Sequence, residues 1–271
     1  MSGQFINVKG RKVWILDDGR GAPLLYLHGF ADVHSVKERW MPFHERLLES
    51  ARVIAPAHPG CAKTDENEDL DSIEDVVFHY LEVIDGLGLE RFNLVGVCMG
   101  GWIAAEIAVR HPEKIVRLAL IGALGLFVPG AHIGDMFMMA QPERGMSYAG
   151  LREMLFSSAH NPLALELFPD GRGEIEDEIR RYQMLRFASR IGFRPPYFYN
   201  RALRNRLSRI SPPALVLWGE HDHLVPLAHG KAYAEGIPSA QGLKIVKEAG
   251  HSAHVENPES TGNILAEFLA Q

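Results

Sequence analysis

Little in this sequence points toward an oxidised scaffold, a membrane or a nucleic acid. Only two of its 271 residues are cysteine, Cys61 and Cys98. A secreted disulfide framework needs more thiols than that. No apolar run is long enough to span a bilayer, and the opening MSGQFINVKGRK holds no apolar signal region. No stable membrane insertion is therefore expected. Lysine and arginine form no runs, and the net charge is -6 with histidine neutral. That argues against a nucleic-acid partner. Internal repeats and low-complexity tracts are also absent. The expectation is a soluble, cytoplasmic protein, monomeric or homo-dimeric. What the chain does have is apolar content, 46% of its residues, ample for a packed core.

That content is arranged as alternating strands and helices. QFINV and KVWIL alternate apolar and polar residues around Lys9-Gly10, the pattern of a hairpin. PLLYL and ARVIAP read as short buried strands, with WMPFHERLLES at helical spacing between them. In DSIEDVVFHYLEVIDGLG, Ser72 caps a helix with Asp75 three residues on. Ile73, Val76, Val77, Tyr80, Leu81 and Ile84 form its apolar face, and Gly86 and Gly88 end it. Strand FNLVGV, a helix and strand IVRLALIGA follow. This βα alternation predicts an α/β fold with a mostly parallel sheet and helices on both faces. From 128 to 209 the rhythm stops, and Met-rich and Arg-rich helical segments appear without a convincing strand. It resumes at PPALVLWGE and GLKIVKEAG. The expected organisation is a core of 1–127 and 210–271 interrupted by a helical lid, 128–209.

The segment GVCMGGW lies on the turn between FNLVGV and the following helix. Gly96-Val97-Cys98-Met99-Gly100 matches a nucleophile elbow with cysteine in place of serine. Such an elbow lifts the nucleophile clear of the sheet on a strained turn, and small residues two positions away let strand and helix approach. The helix N-terminus then favours the thiolate. A Gly-rich strand-to-helix turn also serves phosphate binding. The dinucleotide version needs GxGxxG at the first βα turn and an acid ending the next strand; here the turn lies mid-chain and that strand ends Ile121-Gly122-Ala123.

A thiol nucleophile needs a base, and the base needs an orienting acid. After Cys98 the chain offers Asp222 in LWGEHDHLVP and His251 in EAGHSAHVENP, each just beyond a predicted strand. Nucleophile, acid, histidine is the chain order of the α/β-hydrolase triad. LYLHGF, AHPG, GVCMGGW, LWGEHDHLVP and AGHSAHVENP together resemble the α/β-hydrolase fold superfamily, over nearly the whole chain outside the insertion. They are similar to its lidded esterases and meta-cleavage-product C–C hydrolases. The cysteine resembles that of dienelactone hydrolases. The resemblance implies an eight-stranded sheet with a helical lid after strand six. It also implies Asp222 as triad acid, His251 as base, and an oxyanion hole from the backbone N–H groups of Phe30 and Met99. Gly122 stands where many relatives carry an acid, and Ala62 and Thr64 replace the glycine and serine of PGxGxS. A modified pocket wall is expected at that turn.

Other residues have plainer readings. His28 shapes the loop after the third strand, and His254 is a supporting or surface residue. His221, Asp222 and His223 lie in one extended stretch and point different ways, so neither metal nor another cofactor is expected. Met136, Met138, Met139, Met146, Met154, Phe137 and Phe156 either pack the lid or roof an adaptable pocket. Arg180, Arg181, Arg186, Arg190 and Arg194 pair with Glu174, Glu176 and Glu178 on solvated faces, or one holds a substrate carboxylate. The expected function is hydrolysis of a small to medium, partly apolar ester, lactone or thioester through acyl-Cys98. Open alternatives are acyl transfer to a nucleophile other than water, a ligand-binding pseudoenzyme, a Ser-to-Cys variant with poor turnover, and, ranked below these, C–C bond hydrolysis.

Overall fold

The computed structural model describes residues 3–136, 148–171 and 173–271. The predicted hairpin is β1 (Gly3–Val8) and β2 (Arg11–Gly19), paired antiparallel. Lys9 and Gly10 both take positive φ, 48° and 86°, the turn whose twist suits two-residue hairpins. The remaining strands are β3 (Ala22–Leu27), β4 (Ala51–Pro56), β5 (Phe92–Val97), β6 (Ile115–Ile121), β7 (Ala214–Gly219) and β8 (Ala240–Val246). They form one eight-stranded sheet, ordered β1-β2-β4-β3-β5-β6-β7-β8 and parallel from β4 to β8.

All six residues of β5 and of β7 are buried. A strand with no exposed side is covered on both faces, which is why these segments read as continuous apolar runs. Two groups of helices provide the cover. α1 (Pro42–Leu48) packs with α9 (Ala253–Glu256) and α10 (Pro258–Ala270). α2 (Ile73–Gly86) packs on α3 (Met99–Arg110), and α8 (Leu227–Gly236) packs on β7 and β8. Between β6 and β7 the described residues form α4 (Ala149–Leu155), α5 (Pro162–Leu167), α6 (Ile175–Gly192) and α7 (Leu203–Arg206). Phe137, Met138, Met139 and Met146 lie outside the described residues. Among the described residues no helix is long and apolar enough to cross a membrane.

α2 is closed at its start by a reciprocal box. Ser72 Oγ accepts from Asp75 N at 3.2 Å, and Asp75 Oδ2 accepts from Ser72 N at 3.0 Å. Val76, Val77, His79, Tyr80, Val83 and Ile84 face the core, with Ile73 and Leu81 at its margin. Gly86 is the last helical residue; Gly88, at φ 64°, turns the chain away. Ser72→Ala removes the cap and should lower stability by about 1 kcal/mol in urea unfolding. Turnover per folded molecule should be unchanged, because α2 reaches the site only through its inner face.

Candidate active site

Cys98 joins β5 to α3 with φ 55° and ψ -115°, a conformation that L residues avoid. Its surroundings leave it no choice. Its amide donates to Ile121 O at 2.9 Å, and its carbonyl accepts from Trp102 N and Leu124 N, each at 3.2 Å. The glycines of the motif permit the approach. A Cβ on Gly96 would lie 2.3 Å from Gly100 O, and one on Gly100 would lie 2.0 Å from Leu27 O. α3 therefore rests directly on β3 and β5, with its N-terminus at the sulfur.

Asp222 follows β7 and His251 follows β8. The His251 ring donates through Nδ1 to Asp222 Oδ2 at 2.8 Å, and both side chains are almost wholly buried. The other carboxylate oxygen accepts from Leu224 N at 3.0 Å and Val225 N at 2.7 Å. Those bonds fix the acid, and the acid fixes the tautomer of the ring. Nε2 makes no hydrogen bond of good geometry, yet the Cys98 sulfur interacts with the ring. Burial works against a charged imidazole here, but Asp222 and then Cys98 outweigh it and raise His251 to about 10. Gly122 has φ 53°, and a Cβ there would sit 3.2 Å from His251 Nδ1. The position after β6 is thus occupied by the ring rather than by an acid.

The Phe30 and Met99 amides, one after β3 and one opening α3, donate no hydrogen bond within the described residues. Gly29, next to Phe30, packs against the elbow: a Cβ on it would lie 2.8 Å from Cys98 Cβ.

Two carboxylates that no motif flagged support these loops. Asp32 is fully buried and accepts from Tyr26 Oη (2.7 Å), Val33 N (2.7 Å) and Gly29 N (3.2 Å). His44 Nε2 and His254 Nε2 lie 3.2 and 3.4 Å from its oxygens, in ion-pair reach though not aligned as hydrogen bonds. Despite burial, His254 and His44 hold Asp32 well below the usual carboxylate range. His254 is therefore interior, with no share in the surface. Glu256 accepts from Gly250 N (2.6 Å), Ser157 Oγ (2.6 Å) and Ser157 N (3.0 Å). Ser252 N donates to Leu155 O at 2.8 Å. The loop carrying His251 is thus bonded on both sides to the end of α4.

The arginines of α6, and Arg194 just beyond it, depart in part from the sequence expectation: Arg181 keeps a predicted partner, Glu178, and the others do not. Arg186 and Arg190 pair with Glu66 at 2.8 and 2.9 Å, Arg180 with Asp177 at 2.7 Å and Glu38 at 3.4 Å, and Arg194 with Asp71 at 2.8 Å. Arg181 is buried and pairs with Glu178 at 2.8 Å. Glu174 and Glu176 are not the partners, because α6 lies along core loops that bring their own acids. His221 and His223 are exposed while the Asp222 side chain is not. Among the described residues no group of three or more metal-ligating side chains comes together.

A family model described as the alpha/beta hydrolase fold matches residues 22–258. The 2-hydroxymuconate semialdehyde hydrolase of Pseudomonas sp. strain CF600 is 29% identical, over 99% of this chain and 94% of that protein. A 2-hydroxy-6-oxononadienedioate/2-hydroxy-6-oxononatrienedioate hydrolase of Paraburkholderia phymatum is 31% identical, over 94% of this chain and 90% of its own. The solved esterase of Exiguobacterium antarcticum superposes with a TM-score of 0.78 at 23% identity and covers 100% of both chains, a likeness of fold.

The electrostatics of the histidine can be tested directly. Its charge is favoured in the folded state, so the stability it contributes is full below pH 6.5 and is lost as pH rises through about 10. By NMR titration, His251 of Cys98→Ala should deprotonate at clearly lower pH than in the parent protein. An unchanged midpoint would mean that the sulfur does not act on the ring.

Proposed function

The chain belongs to the alpha/beta hydrolase fold family and is a hydrolase of that fold, and we propose that it cleaves small to medium, partly apolar esters, lactones or thioesters through an acyl intermediate on Cys98. The observation that carries this reading is the His251 ring, bonded to Asp222 on one side and interacting with the Cys98 sulfur on the other. In the first step the thiol proton resides on His251 Nε2 and Sγ attacks the carbonyl carbon. The amides of Phe30 and Met99 take the developing oxyanion. Once sulfur shares its electrons with carbon, its charge no longer raises the ring. The imidazolium becomes a stronger acid and protonates the leaving oxygen or sulfur. Water then gives a proton to His251 and its oxygen to the acyl carbon; the C–S bond breaks and Sγ regains the proton. In this reading the described helices between β6 and β7, α4 to α6, roof the acyl pocket.

A thiolate leaves more readily than an alkoxide, so the tetrahedral intermediate reverts when the substrate's own leaving group is poor. Enol-lactones, thioesters and aryl esters suit this nucleophile better than alkyl esters or amides. A second reading, C–C cleavage of a meta-cleavage product, draws on the similarity to the two hydrolases of that chemistry. Against it, the buried arginines among the described residues are already engaged. Arg152 binds Ala159 O, Phe168 O and Asp170, and Arg181 binds Leu167 O and Glu178. Arg181 keeps only Nε without a partner, so neither offers a free guanidinium fork to the carboxylate of a dioate.

Intact mass spectrometry during turnover of an activated aryl ester tests the proposal. An acyl adduct should appear on the parent protein, decay as product accumulates, and be absent from Cys98→Ala. That variant should lose on the order of 10³-fold or more in kcat/KM. A persistent adduct that added thiol or alcohol releases would mark acyl transfer. No adduct, together with undiminished turnover by Cys98→Ala, would sink the covalent mechanism.

A further inference from the structure

The peptide between Gly29 and Phe30 is held by a chain of buried residues, linked through side chains and backbone, that the reaction itself does not use. Its carbonyl, Gly29 O, accepts a hydrogen bond from Ser35 Oγ at 2.5 Å. Ser35 Oγ in turn lies 3.0 Å from His28 Nδ1. The direction of this second bond follows from the far side of the ring. His28 Nε2 accepts the amide of His58 at 3.1 Å, so it carries no proton. Nδ1 therefore carries the hydrogen and donates it mainly to Ser35, with a longer contact of 3.4 Å to Gly29 O itself, which leaves the serine hydroxyl free to donate only to Gly29 O.

His58 Nε2 lies 3.0 Å from His28 O, a carbonyl that only accepts, so Nε2 is the protonated nitrogen. His58 Nδ1 then accepts from Tyr80 Oη at 2.5 Å. Burial, the leading cause for both rings, keeps them neutral: His28 is pushed well below the usual histidine range and His58 to about 3. The relay runs in one direction, Tyr80 to His58 to His28 to Ser35 to Gly29 O, and every member is buried. Gly29 is also held by its other end, through its N–H to Asp32 at 3.2 Å.

A peptide is planar, and in the trans form its N–H points opposite to its C=O. The only cis bond among the described residues is Pro195-Pro196. Fixing Gly29 O therefore fixes the direction of the Phe30 N–H. A Cβ on Gly29 would lie 2.8 Å from Cys98 Cβ, so the peptide that carries this N–H packs against the nucleophile's own residue. Glycine is also the residue whose peptide reorients most readily if nothing restrains it.

We propose that Ser35 is a positioning residue for the reaction: through its hydrogen bond to Gly29 O it aims the Phe30 N–H at the oxyanion formed on attack by Cys98. Asp32 holds the same glycine from its amide side. This inference rests on the acyl-Cys98 reading given above. Ser35 touches neither substrate nor the reacting atoms, so its effect belongs to the transition state and not to substrate binding.

The test compares Ser35→Ala and Ser35→Thr with the parent protein. An aryl ester reports turnover, and an aryl trifluoromethyl ketone reports oxyanion stabilisation. The ketone forms a C–S bond to Cys98 and places a charged oxygen where the oxyanion forms. Ser35→Ala should lose about 10- to 100-fold in kcat with little change in KM, short of the roughly 10²–10³-fold seen when an oxyanion donor is deleted outright. Its affinity for the ketone should fall by the same factor as kcat/KM. Ser35→Thr, which keeps the hydroxyl, should recover most of both. Parallel loss and recovery support the inference. If the ketone adds to the parent and binds Ser35→Ala equally well, the positioning role is wrong and the acyl-Cys98 reading stands. If the ketone forms no adduct on the parent protein, that reading itself fails. A lowered Tm with kcat per folded molecule unchanged would assign Ser35 to folding alone and overturn the inference.

Discussion

The backbone of Cys98, held at a positive φ, is the constraint on which the site depends. Turning the chain so sharply at the end of a central strand costs about 1–3 kcal/mol. The cost is met by contacts on every side: the amide to β6, the carbonyl to α3 and to Leu124, and helix on strand at a separation only Gly96 and Gly100 allow. The same closeness places Gly29 against Cys98 Cβ. The loop after β3 and the sulfur are thus registered to each other by packing, before any side-chain chemistry is considered. Asp222 and His251, following β7 and β8, complete the arrangement.

Around this constraint the molecule uses buried polar groups where a simpler domain would use apolar ones. Asp32 and the ordered pair His28 and His58 serve the loop after β3, and the half-buried Glu256 serves the loop after β8. Each such group is costly to bury and tolerable only when its partners are all in place. That requirement fixes geometry more sharply than apolar packing does, because a methyl group tolerates displacements that a carboxylate with three donors does not.

Much of the fold was legible because its signals are local. Continuous apolar runs marked β5 and β7, Lys9-Gly10 marked the hairpin, and Ser72 with Asp75 marked the start of α2. Cys98, Asp222 and His251 could be picked out because each ends a strand in a short, unusual segment. Asp32, Ser35 and Glu256 carry no such mark. Their partners are set by how a loop folds back on itself or meets another element, and a serine or carboxylate in a polar loop looks the same whether it is solvated or buried. Along α6 the expectation held for Arg181 with Glu178 but missed Arg186, Arg190 and Arg194 for a related reason. Helical spacing suggests partners along the helix, whereas Glu38, Glu66 and Asp71 come from loops far away in sequence.

Two of the places where the segment between β6 and β7 meets the core are chemically distinct. Near α4 the junction is made of backbone hydrogen bonds and the shielded Glu256 carboxylate. Along α6 it is a row of guanidinium–carboxylate pairs, several of them partly open to solvent. Dissolved electrolyte distinguishes the two. Mobile ions screen the row along α6 over distances of about 10 Å at 0.1 M salt, while the α4 junction offers them almost nothing to act on. Ionic strength is therefore a dial on one border of this segment and not on the other.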